Sequence, residues 1–262
     1  MLTRRVVTLL ATALLAGCQA ASPIPPAPPP TRWIPPPGVT WQWQLTGKLD
    51  LTVDAQVYDV DGFNTTATEV EALHQRGRKV ICYISAGSAE QFRSDAVRWP
   101  ERVLGNPTGW PGERWVDIRD RDSVGPILAD RMDMCRDKGF DGVEPDVMDA
   151  FTHDTGFPLT AADQVAFNHW VADLAHERGL SVGLKNDLEQ ISELVGAFDF
   201  AVDEECVAHA ECQALRPFIT AGKAVFHAEY DRSPDTFCAE TRTLGLSSIR
   251  KTRALGSWRQ TC

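Results

Sequence analysis

The chain has 262 residues, with 26 Lys and Arg against 36 Asp and Glu, and a formal net charge of −10. That balance argues against nucleic acid or anionic lipid as a partner, since both are held by cationic faces. It is compatible with a cationic substrate, although an acidic surface most often serves solubility alone.

At the N-terminus, Arg4 and Arg5 precede the apolar run from Val6 to Leu15, about ten residues, which suits an export signal and is too short for a permanent membrane helix. Leu15-Ala16-Gly17-Cys18 resembles the bacterial lipobox. The resemblance implies removal of residues 1–17 and lipid attachment to the sulfur of Cys18; the alternative is an ordinary signal peptide beside a chance cysteine. Gln19 resembles a residue that sorts lipoproteins to the outer membrane. Residues 18–38 then form a spacer, because nine prolines between Ser22 and Gly38 cannot build a core and favour an extended chain. Residues 39–262 are read as one domain, expected to act as a monomer held to the membrane through its anchor. Loss of Arg4 and Arg5 makes the mature charge 24 − 36 = −12. Six cysteines remain in an exported chain, an even set that predicts disulfides. Six cysteines allow 15 pairings; the preferred set is Cys82 with Cys135, Cys206 with Cys212, and Cys238 with Cys262.

Strand-like runs follow at Trp41–Leu45, Gln56–Val60, Val80–Ser85, Gly142–Asp146, Ser181–Asn186, Phe198–Glu204, Ala224–Tyr230 and Ser247–Thr252. Amphipathic segments between them close on glycine, as at Gly77, Gly139, Gly179 and Gly222, the residue that most readily takes the left-handed turn after a helix. Eight strands alternating with helices predict a (β/α)8 TIM barrel, with an open doubly wound sheet as the alternative. Thr46–Ala55 is too short for a full helix, and Trp115–Ile118 is a candidate ninth strand. Ala86–Glu113, rich in Gly, Pro and Trp, is expected to lie as a loop over the carboxyl ends of the strands. There Trp99, Trp110 and Trp115 either stack on sugars or pin the loop.

The stretch from Gly139 to Phe151 carries four carboxylates around the end of the fourth strand. Alternation puts Gly142, Glu144 and Asp146 on one face. Acids buried there lose hydration, which favours a chemical role over a structural one. The sixth strand also ends in acids, Glu204 and Glu205. Glu204 shares a face with Phe200 and Val202, which points it inward. Two carboxylates across one barrel mouth are what glycosidic bond cleavage requires. Asp59 and Asp61 share a face of the second strand and are candidates to grip hydroxyls or an ammonium. Glu144 sits one layer below Asp146, placed to tune it or to bind.

Taken with Trp41–Leu45, Val57–Asp61, Val80–Gly87, Trp110–Trp115, Gly183–Asn186 and Glu204–Cys206, these motifs resemble glycoside hydrolase family 114 in order over residues 39–252. The resemblance implies a TIM barrel, endo-α-1,4-polygalactosaminidase activity on an amino-sugar polysaccharide, no cofactor and no metal. Residue by residue it implies Asp146 as nucleophile or base and Glu204 as general acid, the latter needing a pKa lifted by roughly two units. Asp59, Asp61, Tyr83, Glu144, Lys185, Asn186 and Glu229 are the expected substrate-binding set, with Lys185 also placed to pair with the strand-four acids. Asp146 as a mere cap, and Glu205 as the working acid, stay open. Val147 stands where the family usually has Asn, which puts the specificity in question. Two other readings remain: a non-catalytic polysaccharide-binding lipoprotein, and a hydrolase of a different α-glycan. Cys206, His209 and Cys212 have metal-like spacing, but export favours their oxidation.

Overall fold

A computed structural model describes residues 32–262. The signal peptide, Cys18 and the first part of the spacer lie outside the described residues. Eight parallel strands pair in chain order: β1 Trp41–Gln44, β2 Val57–Asp61, β3 Lys79–Ser85, β4 Gly142–Asp146, β5 Ser181–Lys185, β6 Phe200–Glu204, β7 Val225–Glu229 and β8 Ser247–Arg250. The sheet curls until its first and last parallel strands meet. There the indole N–H of Trp41 donates to the Ser247 carbonyl at 2.8 Å, and the backbone N–H of Leu45 donates to Leu255. A short antiparallel strand, Gln260–Thr261, borders β8. The expected barrel is present.

Alternation along the strands builds two cores. Val57, Ile81, Phe200, Val202, Phe226, Ala228 and Ile249 fill the barrel with Trp41 and Trp43. Tyr58, Val60, Cys82, Ile84, Val143, Val182 and Leu184 face the helices. Gly183 is part of the design, because a Cβ there would come within 2.3 Å of the Phe200 ring.

The helices are α1 Ala67–His74, α2 Arg121–Asp137, α3 Ala161–His176, α4 Ile191–Leu194, α5 Arg216–Thr220 and α6 Pro234–Leu244. Thr66 with Glu69 and Thr160 with Asp163 form reciprocal caps that start α1 and α3. No helix joins β1 to β2, as the length of Thr46–Ala55 implied. All three preferred disulfides are formed: Cys82–Cys135 ties β3 to α2, Cys206–Cys212 closes the turn after β6, and Cys238–Cys262 holds the C-terminus to α6.

Two expectations change. The segment after β3 is no irregular loop: Ser88–Glu90, Leu104–Pro107 and Glu113–Val116 make a separate antiparallel sheet, with Glu113–Val116 central. Trp115 therefore belongs to this insertion and not to a ninth barrel strand. The last part of the proline-rich segment lies against the barrel floor, where the Pro35 carbonyl accepts the Ala224 N–H at 2.8 Å and the Trp33 carbonyl accepts the Ser181 hydroxyl.

Candidate active site

The carboxyl ends of the strands and the insertion enclose a cleft of about 840 Å³. At its floor Lys185, nearly fully buried at the end of β5, gathers three carboxyl groups. Its ammonium lies 2.8 Å from Asp146 Oδ1, 2.9 Å from Glu204 Oε2 and 3.6 Å from Glu144 Oε1. The Trp43 ring centre lies 5.2 Å from the same ammonium. Both acids of the expected pair thus share one cation. Two oxygens at 2.8 and 2.9 Å from a single nitrogen can be no farther apart than the sum, 5.7 Å.

Their surroundings differ. Asp146 also accepts the Tyr83 hydroxyl at 2.6 Å and the Val147 N–H at 2.8 Å. Burial works against its charge, but Lys185 and these hydrogen bonds outweigh burial and hold the carboxyl below its ordinary range. Glu204 accepts the Tyr230 hydroxyl on its other oxygen, and its backbone N–H donates to Asn186 Oδ1 at 3.1 Å. Burial and the neighbouring acids push both tyrosine hydroxyls well up, so each stays a donor. Asp146, Glu204, Tyr83, Lys185 and Asn186 all line the cleft.

Four other expected binding residues fall elsewhere or are already engaged. Asp59 is fully buried beneath the cleft beside Glu144. Among the described residues no donor outside the pair comes within hydrogen-bond distance of the oxygens of either group, Lys185 standing just beyond it at 3.6 Å from Glu144. Burial and mutual repulsion raise Asp59, and burial pushes Glu144 up to about 7. Both are therefore corrected from substrate ligands to a buried carboxyl pair under the site. Asp61 lines the cleft, yet both its oxygens are taken by Arg93, at 2.7 and 3.1 Å. Glu229 is corrected outright. Phe226 and Ala228 point into the barrel, so Glu229 points out, where it accepts the Val207 N–H at 2.9 Å and meets His227 Nε2 at 3.1 Å.

Glu205 has a left-handed backbone and pairs with Arg253 at 2.9 Å outside the cleft lining. Cys206 and Cys212 lie near His227 but are bonded to each other, so they offer no thiolates to a metal. Trp99 is buried and Trp115 stacks on His153 with ring centres 4.8 Å apart, while Trp110 stays 60% exposed on the cleft wall. Sequence reasoning missed Tyr230, whose inward parity follows from Phe226 and Ala228. It also missed Glu113 and Arg93 of the insertion, and Arg131 of α2, which pairs with Glu90 and Asp95.

Residues 22–262 match the model of glycoside-hydrolase family GH114. An uncharacterized protein of Deinococcus radiodurans is 29% identical over 251 residues, spanning 82% of this chain and 77% of that protein. Among solved structures, the Aspergillus fumigatus Ega3 complex with galactosamine is 37% identical and superposes with a TM-score of 0.84, covering 88% of this chain and 98% of that one. The glycoside hydrolase domain of PelA from Pseudomonas aeruginosa shares the fold at 15% identity, with a TM-score of 0.65 over 87% of this chain and 99% of that one. The chain therefore belongs to glycoside hydrolase family 114 and is a glycoside hydrolase.

Proposed function

We propose that this enzyme cuts internal α-1,4 bonds of a cationic, galactosamine-rich polysaccharide, with Asp146 as nucleophile and Glu204 as general acid and base. The observation that carries the reading is the shared contact with Lys185, which keeps the facing oxygens of the two acids, Asp146 Oδ1 and Glu204 Oε2, within 5.7 Å of each other at the floor of an open cleft. Retaining glycosidases hold their carboxyl groups about 5–5.5 Å apart, whereas inverting enzymes leave about 6.5–9.5 Å for a water. The separation favours retention.

In the first step the Glu204 proton passes to the leaving oxygen as the C1–O bond breaks and Asp146 bonds to C1. Water, deprotonated by Glu204, then releases the sugar and restores both groups. Lys185, Tyr83 and the Val147 N–H keep Asp146 ionised, as a nucleophile must be. The likeness to a galactosamine complex supports an amino sugar as the substrate unit, and the acid-lined cleft supports a cationic one.

The enzyme needs no cofactor in this scheme. We further propose that it is exported and anchored through Cys18, a reading supported by the lipobox and by three disulfides of the kind that oxidising compartments maintain. Replacement of Cys18 by Ser should abolish incorporation of labelled fatty acid, and persistent labelling would sink the anchor.

The decisive test is reducing-end release from a panel of defined α-1,4 oligosaccharides, with the product anomer followed by NMR. Asp146→Asn and Glu204→Gln should each lower the rate at least about 10²-fold while remaining folded. Wild-type rates in both variants would remove the pair from the mechanism. Cleavage of a neutral α-glycan in preference to galactosamine oligomers would reassign the substrate.

A further inference from the structure

Among the carboxylates that line the cleft, cations are shared unevenly. Arg93 occupies Asp61 and Glu90, Lys185 occupies Asp146 and Glu204, and His153 lies 3.8 Å from Asp149. Glu113 differs. Among the described residues it accepts one side-chain hydrogen bond, from the Ser88 hydroxyl at 3.1 Å, and no Lys, Arg or His comes within ion-pair distance of it.

Its position explains how it stays open to the cleft. Trp110 and Glu113 are the ends of a tight turn in which the Glu113 N–H donates to the Trp110 carbonyl at 3.2 Å. Gly112 sits between them with φ of 81°, a conformation glycine adopts without strain. The Gln91 N–H clamps that turn by donating to the Gly112 carbonyl at 2.8 Å, and Phe92 lies against it. Phe92 is 63% exposed and Trp110 60% exposed, and both line the same cleft as Glu113. Two bare aromatic rings beside an unpaired acid are costly as surface and apt as a binding wall: a pyranose offers an apolar face to a ring and polar groups at its edge.

We infer that this turn is an amino-sugar subsite distinct from the Asp146–Glu204 centre, in which Trp110 and Phe92 seat a pyranose ring of the polymer and Glu113 binds its ammonium. The inference rests on the proposed galactosamine substrate and makes Glu113 the residue that distinguishes a free amine from an acetylated one. A primary ammonium supplies the missing cation, whereas an N-acetyl group leaves a half-buried carboxylate facing an amide. Burial and the nearby Glu90 push the Glu113 carboxyl up to about 7, so a cation arriving there meets a partner poorly screened by water.

The test compares kcat/KM for wild type, Glu113→Gln and Trp110→Ala on fully deacetylated and fully N-acetylated α-1,4-galactosamine oligomers of two to eight units. Glu113→Gln should lower kcat/KM on the deacetylated series about tenfold or more, chiefly through KM, and bring the ratio between the two series close to one. Glu113→Asp, which keeps the charge, should restore part of that ratio. Trp110→Ala should cost more on long oligomers than on short ones, on both series alike. An unchanged ratio in Glu113→Gln overturns the ammonium role, and a length-independent loss in Trp110→Ala overturns the aromatic wall, while wild-type cleavage leaves the substrate reading intact. If the wild type cleaves neither series, the substrate reading fails first and this inference with it.

Discussion

The buried charge where the insertion meets the barrel and the buried charge under the cleft are wired differently. Where the insertion meets the barrel, Arg93 and Arg131 serve Asp61, Glu90 and Asp95, so each acid has a guanidinium at 2.7–3.2 Å. Under the cleft, Asp59, Glu144, Asp146 and Glu204 have one cation among them, Lys185. The first cluster is satisfied and fastens one element to another. The second is short of positive charge, and that shortage is what spreads the pKa values of its members: Asp146 goes down, Asp59 and Glu144 go up. Neutralised charge suits structure, and rationed charge suits chemistry.

Replacing the single cation should do the most damage. Lys185→Met should lower kcat/KM by about 10³-fold or more, since both acids lose their shared donor. The acid limb of its pH–rate profile should also move up, because Lys185 is what holds Asp146 below the usual range. A limb that stays in place would mean that the hydrogen bonds from Tyr83 and Val147 alone set the ionisation. Arg131→Met is the counterpart in the satisfied cluster, and it should act on stability. It leaves Glu90 and Asp95 short of a buried partner, a loss of about 3–5 kcal/mol for such pairs. Denaturation curves should register that loss while turnover below the transition changes only a few-fold; a large loss of turnover at unchanged stability would erase the distinction between the clusters.

The pH dependence of stability tests Glu144 of the rationed cluster, together with two buried acids outside it, Asp187 and Asp203. Glu144 and Asp203 are pushed up to about 7 and Asp187 to about 8, each chiefly by burial. These groups keep protons in the folded state that the unfolded chain has released above about pH 4.5. Stability should therefore fall as pH rises from 5 to 7, and a carboxyl as deeply buried as Glu144 contributes on the order of 2–3 kcal/mol to that fall. Urea midpoints at pH 5 and pH 7 measure it. Glu144→Gln should flatten the slope, and a slope unaltered in that variant would place the effect elsewhere.

The smallest expected effect is at Val147, a β-branched residue with φ of 66° directly after Asp146. Left-handed backbone costs such a residue roughly 1–2 kcal/mol, and Asn bears it better. Val147→Asn should raise the unfolding free energy by about 1 kcal/mol, read as an upward shift of the urea midpoint. A lower midpoint would show that packing of the valine side chain outweighs the backbone term.

Much of the barrel was legible because buried parallel strands announce themselves as short apolar runs after a helix-closing glycine. The inward acids were legible by alternation: Phe200 and Val202 fix the direction of Glu204, and Gly142 that of Asp146. The same rule, carried through β7, turns Glu229 outward and Tyr230 inward. Depth was harder. Asp59 and Asp61 share a face, but two residues along a strand separate a sealed layer from the cleft floor. The insertion was illegible for another reason, since strands as short as Ser88–Glu90 carry no periodicity. Its arginine ties join residues 32 to 41 positions apart, and nothing local marks them.

The docking of Trp33 and Pro35 on the barrel floor has a bearing on how the enzyme meets its polymer. Cys262 lines the same small hollow as Pro37 and Gly38, so both ends of the described chain leave from one side, opposite the open mouth. Anything joined ahead of Arg32, whether a lipid, a bead or a fusion partner, grips the domain from behind. The mouth is then left clear of whatever holds the domain, so a polysaccharide can cross it from either side.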